Sequence, residues 1–122
     1  MHYAALENDG PEVKRLIEAG LAVGAPDKTG WTPLHFAAQE YSAAAAILLL
    51  EHGALVDAQD SYGNTPLSKA VFNSKGRGEL IRLLRKAGAD PRRENNYGVS
   101  PLSLARMIAN YDVRQFFNDL PE

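Results

Sequence analysis

Cysteine is absent from the 122 residues, which excludes disulfides, thiolate metal ligands and a cysteine nucleophile. Its absence fits the cytoplasm, the compartment expected here, although periplasmic domains can lack it too. Long apolar runs are also missing. The longest, Ala43 to Leu50, has eight residues, far short of the ~18 that suggest a membrane span. The first residues carry no basic segment leading into an apolar stretch and a small-residue cleavage site, so no secretion signal is read. Tryptophan occurs once and aromatics make up 8 % of the chain. What remains is ordinary: 45 % hydrophobic and 23 % charged residues, a balance that points to a folded chain rather than a disordered one. The length suits one domain with one continuous core.

The residue patterns that carry chemistry are equally scarce. The three histidines, His2, His35 and His52, form no His-Glu-x-x-His pair and no cluster with metal-ligand spacing. Gly76-Arg77-Gly78 is the only Gly-x-Gly, with no strand pattern before it and no Lys-Ser or Lys-Thr after it, so it does not read as a phosphate cradle. No Gly-x-Ser-x-Gly elbow exists, although a triad assembled in space is not decided by spacing. Arg77, Arg82, Arg85, Lys86, Arg92 and Arg93 cluster loosely, but Arg82, Arg85 and Lys86 alternate with Leu83 and Leu84 as on the solvated side of an amphipathic helix. The expectation is a protein that is no enzyme, with no cofactor, metal, small-molecule substrate or nucleic acid.

The net charge of −2 is unevenly placed. Residues 1–61 hold nine acidic against three basic residues, and residues 62–122 hold ten basic against six acidic. The halves are therefore −6 and +4, a dipole along any elongated fold; scattered solvated faces are the first reading of it, and steering of a charged partner is the alternative.

A period organises the chain. Asp27-Lys28-Thr29-Gly30-Trp31-Thr32-Pro33-Leu34 returns as Asp60-Ser61-Tyr62-Gly63-Asn64-Thr65-Pro66-Leu67 after 33 residues, and as Asn95-Asn96-Tyr97-Gly98-Val99-Ser100-Pro101-Leu102 after 35. Gly20, Gly53 and Gly88 keep the same intervals, so two extra residues lie between Leu67 and Gly88. This resembles the ankyrin repeat, whose unit is ~33 residues with a Thr-Pro-Leu-His-x-Ala signature. Thr32-Pro33-Leu34-His35-Phe36-Ala37 is the best copy, and Met1-His2-Tyr3-Ala4-Ala5 is a clipped one. The resemblance spans essentially the whole chain. It implies an all-α solenoid of stacked helix–turn–helix units joined by β-hairpin-like turns. About four repeats are expected, near 1–26, 27–59, 60–94 and 95–122, in a single domain with partial first and last units.

Each unit has local reasons to fold this way. Thr32 is placed to cap a helix, with Pro33 at its first position. Leu34, Ala37 and Ala38 share a face at i, i+3 and i+4. A second helix over Ala43 to Glu51 ends at Gly53, which suits a left-handed residue. His52 just before it suits the negative helix end. Ala43 to Ala46 reads as strong helix former packed on neighbouring repeats. Val23 and Val56 lie on short extended legs. In the last unit a second helix over Asp112 to Leu120 is expected to act as a cap, with Phe116 and Phe117 in place of leucines. The first unit starts inside a helix and is expected to be truncated or frayed. The enlarged segment Asn73 to Gly78 is expected to project past its neighbours as a mobile loop.

The resemblance also implies a function and a surface. The family serves mainly as a recognition scaffold, and its signature histidine, here His2 and His35, makes structural hydrogen bonds near the turn threonine. The partner is expected to be another protein, met by a monomer through the concave face of turns and first helices. By position that face comprises Lys28, Thr29 and Trp31, then Ser61, Tyr62 and Asn64, then Asn96, Tyr97 and Val99, with Gln39, Glu40, Phe72 and Asn73 late in the first helices. Trp31 is read as an anchor that adds nothing to the core. A spacer within a larger protein is the competing reading. The stretches Ala70 to Gly78 and Asn96 to Val113 look like small stand-alone bacterial ankyrin proteins, some similar to immunity proteins that neutralise a toxin encoded nearby.

Overall fold

The computed structural model describes residues 1–121, apart from the side chains of Tyr3 and Leu6. Seven α-helices follow in order: α1 His2–Leu6, α2 Gly10–Glu18, α3 Pro33–Gln39, α4 Ala43–Glu51, α5 Pro66–Phe72, α6 Glu79–Lys86 and α7 Pro101–Met107, then a 3-10 helix, Arg114–Phe117. No strand occurs among the described residues. The odd-numbered helices stack in one row, α1 on α3 on α5 on α7, and α2, α4 and α6 form a second row behind them.

The first helices α3, α5 and α7 have seven residues each, too few to be stable alone. Their starts are fixed locally. Thr32, Thr65 and Ser100 accept a hydrogen bond from the backbone N–H of His35, Ser68 and Ser103, and Pro33, Pro66 and Pro101 open the helices. Packing supplies the rest. Leu34, Leu67 and Leu102 occupy the same buried position in successive repeats, as do Ala37, Ala70 and Ala105. The alanines let the two rows approach, so that Ala45, Ala46, Leu49, Leu80, Ile81 and Leu84 are buried behind them. Ala44 and Ile47 of α4 are exposed instead, so only part of the alanine run packs inward.

The turns repeat one device. A side-chain oxygen at the first turn residue accepts two backbone N–H bonds: Asp27 from Thr29 and Trp31, Asp60 from Tyr62 and Asn64, Asn95 from Tyr97 and Val99. Each turn is closed by two backbone bonds, such as Asp27 N–H to the Trp31 carbonyl at 2.8 Å and Gly30 N–H to the Asp27 carbonyl at 3.1 Å. Adjacent turns are joined by Ser61 N–H to the Thr29 carbonyl and Asn96 N–H to the Tyr62 carbonyl, both 2.9 Å. Pairing therefore runs from turn to turn, and Val23 and Val56 form no strands.

Two expectations are corrected. The last unit has no full second helix over Asp112 to Leu120; only Arg114–Phe117 coils, as a 3-10 turn. Asn110, Asp112, Asn118 and Asp119 favour turns over helix interiors, and tertiary contacts hold the segment instead. Phe117 enters the core, Arg85 pairs with Asp119 at 2.7 Å and donates to the Phe116 carbonyl. The enlarged segment 73–78 does not project. Ser74 is buried, and the Tyr41 hydroxyl donates to the Arg77 carbonyl while the Arg77 guanidinium lies 4.1 Å from the Tyr41 ring centre. Gly78 is packed so closely by Phe116 that an added Cβ would collide with its ring. The two additional residues make a cradle that joins the second repeat to the last unit.

Candidate functional site

His35 is wholly buried. Its Nδ1 accepts from the Thr32 backbone N–H at 3.1 Å, so Nε2 carries the proton and donates to the Asn64 carbonyl of the next turn at 2.9 Å. His2 repeats the outward bond to the Trp31 carbonyl, 3.1 Å. The structural role expected of this histidine thus rests on geometry: each ring links its own helix to the following turn. His52 caps α4, its Nδ1–H donating to the Leu48 carbonyl at 2.8 Å.

Burial pushes the His35 pKa below its usual 6.5, against a smaller opposing pull from the Asn64 carbonyl. The folded protein then holds fewer protons at this site than the unfolded chain. The His35 contribution is complete above about pH 6.5 and falls as pH drops from the unfolded towards the folded value. His35→Ser, which installs the residue found at the equivalent Ser68, is expected to lower stability by about 1–2 kcal/mol at neutral pH. It should also remove part of the acid-side decline. Urea midpoints at neutral and mildly acidic pH check both, and an unchanged pH slope would contradict the buried neutral imidazole.

Along the turns and first helices of the last two repeats lies a groove of about 440 Å³. Turn residues Asn64, Asn95, Tyr97 and Val99 form one wall; Ser68, Lys69, Phe72 and Asn73 from α5 and its end, Leu104 and Met107 from α7, and Gln39 from α3 complete it. Phe72, Tyr97 and Met107 are 71, 74 and 61 % exposed, a concentration of large apolar side chains in water on one face. A polar depression lined by Gln39, Glu40, Asn73, Lys75 and Arg77 adjoins it.

At the groove floor Lys69 spans two repeats. Its Nζ stands 4.2 Å from the Trp31 ring centre and 3.5 Å from Asp60 Oδ2. Asp60 is buried, and its Oδ2 makes no hydrogen bond among the described residues.

The structure brings Gln39, Asn64, Phe72, Asn73, Tyr97 and Val99 of the expected surface into the main groove and Glu40 into its neighbour. Lys28, Thr29, Ser61, Tyr62 and Asn96 are exposed along the turns, outside the groove. Trp31 departs from expectation. It is half-buried, with its ring 4.9 Å from that of Phe36 and 6.0 Å from that of His35, so it is part of the packing. Sequence reasoning missed Ser68, Lys69, Asn95, Leu104 and Met107 in the main groove and Lys75 and Arg77 in its neighbour. Met107 was within reach, since it occupies in the last repeat the position of Phe72. Lys69 was not, because its equivalents are Phe36 and Leu104.

Among the described residues no helix is long and apolar enough to cross a membrane. In comparison with family models, residues 1–95 match the one described as ankyrin repeats (3 copies). Comparison with curated proteins finds no match.

Proposed function

The chain belongs to the ankyrin-repeat family, whose repeats generally mediate protein–protein interaction, and from that premise we propose that it is a non-enzymatic binding module. It receives a protein partner on the face of turns and first helices, in the cytoplasm and as a monomer. The observation that carries the reading is the groove edged by Phe72, Tyr97 and Met107. The aromatic rings of Phe72 and Tyr97, held in water by a stacked scaffold, bury much area with few rotamers to freeze, which is what interface anchors do, and the flexible Met107 adapts to what they seat.

The test compares baits. Phe72→Asp and Tyr97→Asp alter exposed residues and should leave the thermal melt near that of the unmodified protein. A partner held by the unmodified chain is expected to bind each variant with about tenfold lower affinity or worse, roughly 1.4 kcal/mol or more. Equal binding by both variants would place the partner on another face, and a spacer role would show no partner sensitive to either. The narrower expectation, immunity against a toxin encoded nearby, is tested by co-expression: rescue of cells from that toxin should be lost with Phe72→Asp.

A further inference from the structure

The main groove and the polar depression share Gln39 and Asn73, so they form one channel with two different ends. One end is apolar, between Phe72, Tyr97 and Met107. The other presents Lys75 and Arg77 with a single acid, Glu40. Lys69, whose side chain is only 17 % exposed, lines the apolar end with Phe72, Tyr97 and Met107.

The cations of this channel are incompletely satisfied. An ammonium has three N–H donors, and those that no protein acceptor takes up are free to bind a ligand. Lys69 has the Trp31 face and one oxygen of Asp60, at 3.5 Å, and no closer acceptor among the described residues. Asp60 Oδ1 is occupied by the N–H groups of Tyr62 and Asn64, so Asp60 cannot turn both oxygens to the lysine. Arg77 donates to the carbonyls of Ser74 and Asn73 and stacks on Tyr41, contacts that give its charge no carboxylate among the described residues. The half of the chain that builds most of the channel carries +4.

We propose that the channel receives an acidic protein segment, with a bulky apolar side chain seated among Phe72, Tyr97 and Met107 and a neighbouring carboxylate accepting hydrogen bonds from the Lys69 ammonium. Lys75 and Arg77 draw further acidic residues along the channel. The inference rests on the reading of this face as the partner surface. A nucleic acid would satisfy the cations, but it leaves the apolar end without a purpose and meets Glu40.

A randomised peptide library displayed on phage tests it against the full chain. Enriched peptides should combine an aromatic or aliphatic residue with nearby acids. Their synthetic forms should lose affinity about tenfold with Lys69→Met, as for a charge-assisted hydrogen bond, and several-fold with Lys75→Glu. Binding to the unmodified protein should weaken as salt is raised, and less steeply for Lys69→Met. Lys75→Glu changes an exposed side chain, so it keeps the test valid if Lys69→Met melts early. Peptides that need Phe72 but lack acids, or that ignore both lysine changes, overturn this inference and leave the binding face standing. No enrichment, peptides indifferent to Phe72→Asp, or tighter binding of a single-stranded oligonucleotide would overturn both.

Discussion

Gly63→Ala is expected to cost about 3 kcal/mol, whereas the same change at Gly98 should cost about 1–2 kcal/mol. Both glycines have positive φ, +82° and +76°, so alanine pays the left-handed penalty at either. The difference lies in their surroundings. A Cβ on Gly63 would stand 2.7 Å from Asn96 Oδ1, 2.9 Å from Asn96 N and 3.0 Å from Asn95 Cα. Two of those contacts are backbone of the next turn, itself held by the Asn96 N–H to Tyr62 carbonyl bond, so relief requires moving a turn away from its neighbour. A Cβ on Gly98 meets nothing within 4 Å among the described residues. Urea unfolding of the two variants side by side measures the gap. Equal losses would mean that only the dihedral angle matters and that the turn-to-turn contact contributes little.

Trp31→Ala should lower stability by about 2 kcal/mol, somewhat below the roughly 3–5 kcal/mol of a fully buried aromatic, because the ring is half-buried. The loss has two parts. The Phe36 ring loses its neighbour at 4.9 Å, and the Lys69 ammonium loses the aromatic face 4.2 Å away, a contact worth ~0.5–2 kcal/mol. Because Lys69 lines the groove, partner affinity is expected to fall too, as an indirect effect of a displaced lysine. Thermal melts and titration calorimetry on the same variant separate the two. A melting temperature that does not move would restore Trp31 to the role of a free anchor, and Trp31→Phe should recover most of the stability.

Much of the fold was legible because its determinants are local and repeated. Thr32-Pro33 and its copies at Thr65-Pro66 and Ser100-Pro101 act through the cap oxygen three residues away. The Asp27, Asp60 and Asn95 turns act through bonds that span at most four residues. Such features recur at a fixed period, and a period can be read without coordinates. The groove was partly legible for the same reason: Phe72, Asn73 and Tyr97 occupy repeat positions, and they line it.

What the chain by itself determined was the repeat, the helix starts, the turn glycines and the −6 and +4 division of charge. Tertiary structure alone decided three things. It placed Trp31 in the packing, because Phe36 and Lys69 close on it from its own repeat and the next. It turned segment 73–78 into a cradle, because Tyr41 lies 36 residues before Arg77 and Phe116 comes from the last unit. It drew Lys69 to the groove floor beside Asp60, where a repeat pattern predicts an apolar side chain. In each case at least one deciding contact, Trp31 with Lys69, Tyr41 with Arg77 or Phe116 with Gly78, joins residues more than 30 apart in sequence; it forms only when repeats stack, and no local propensity or spacing encodes it.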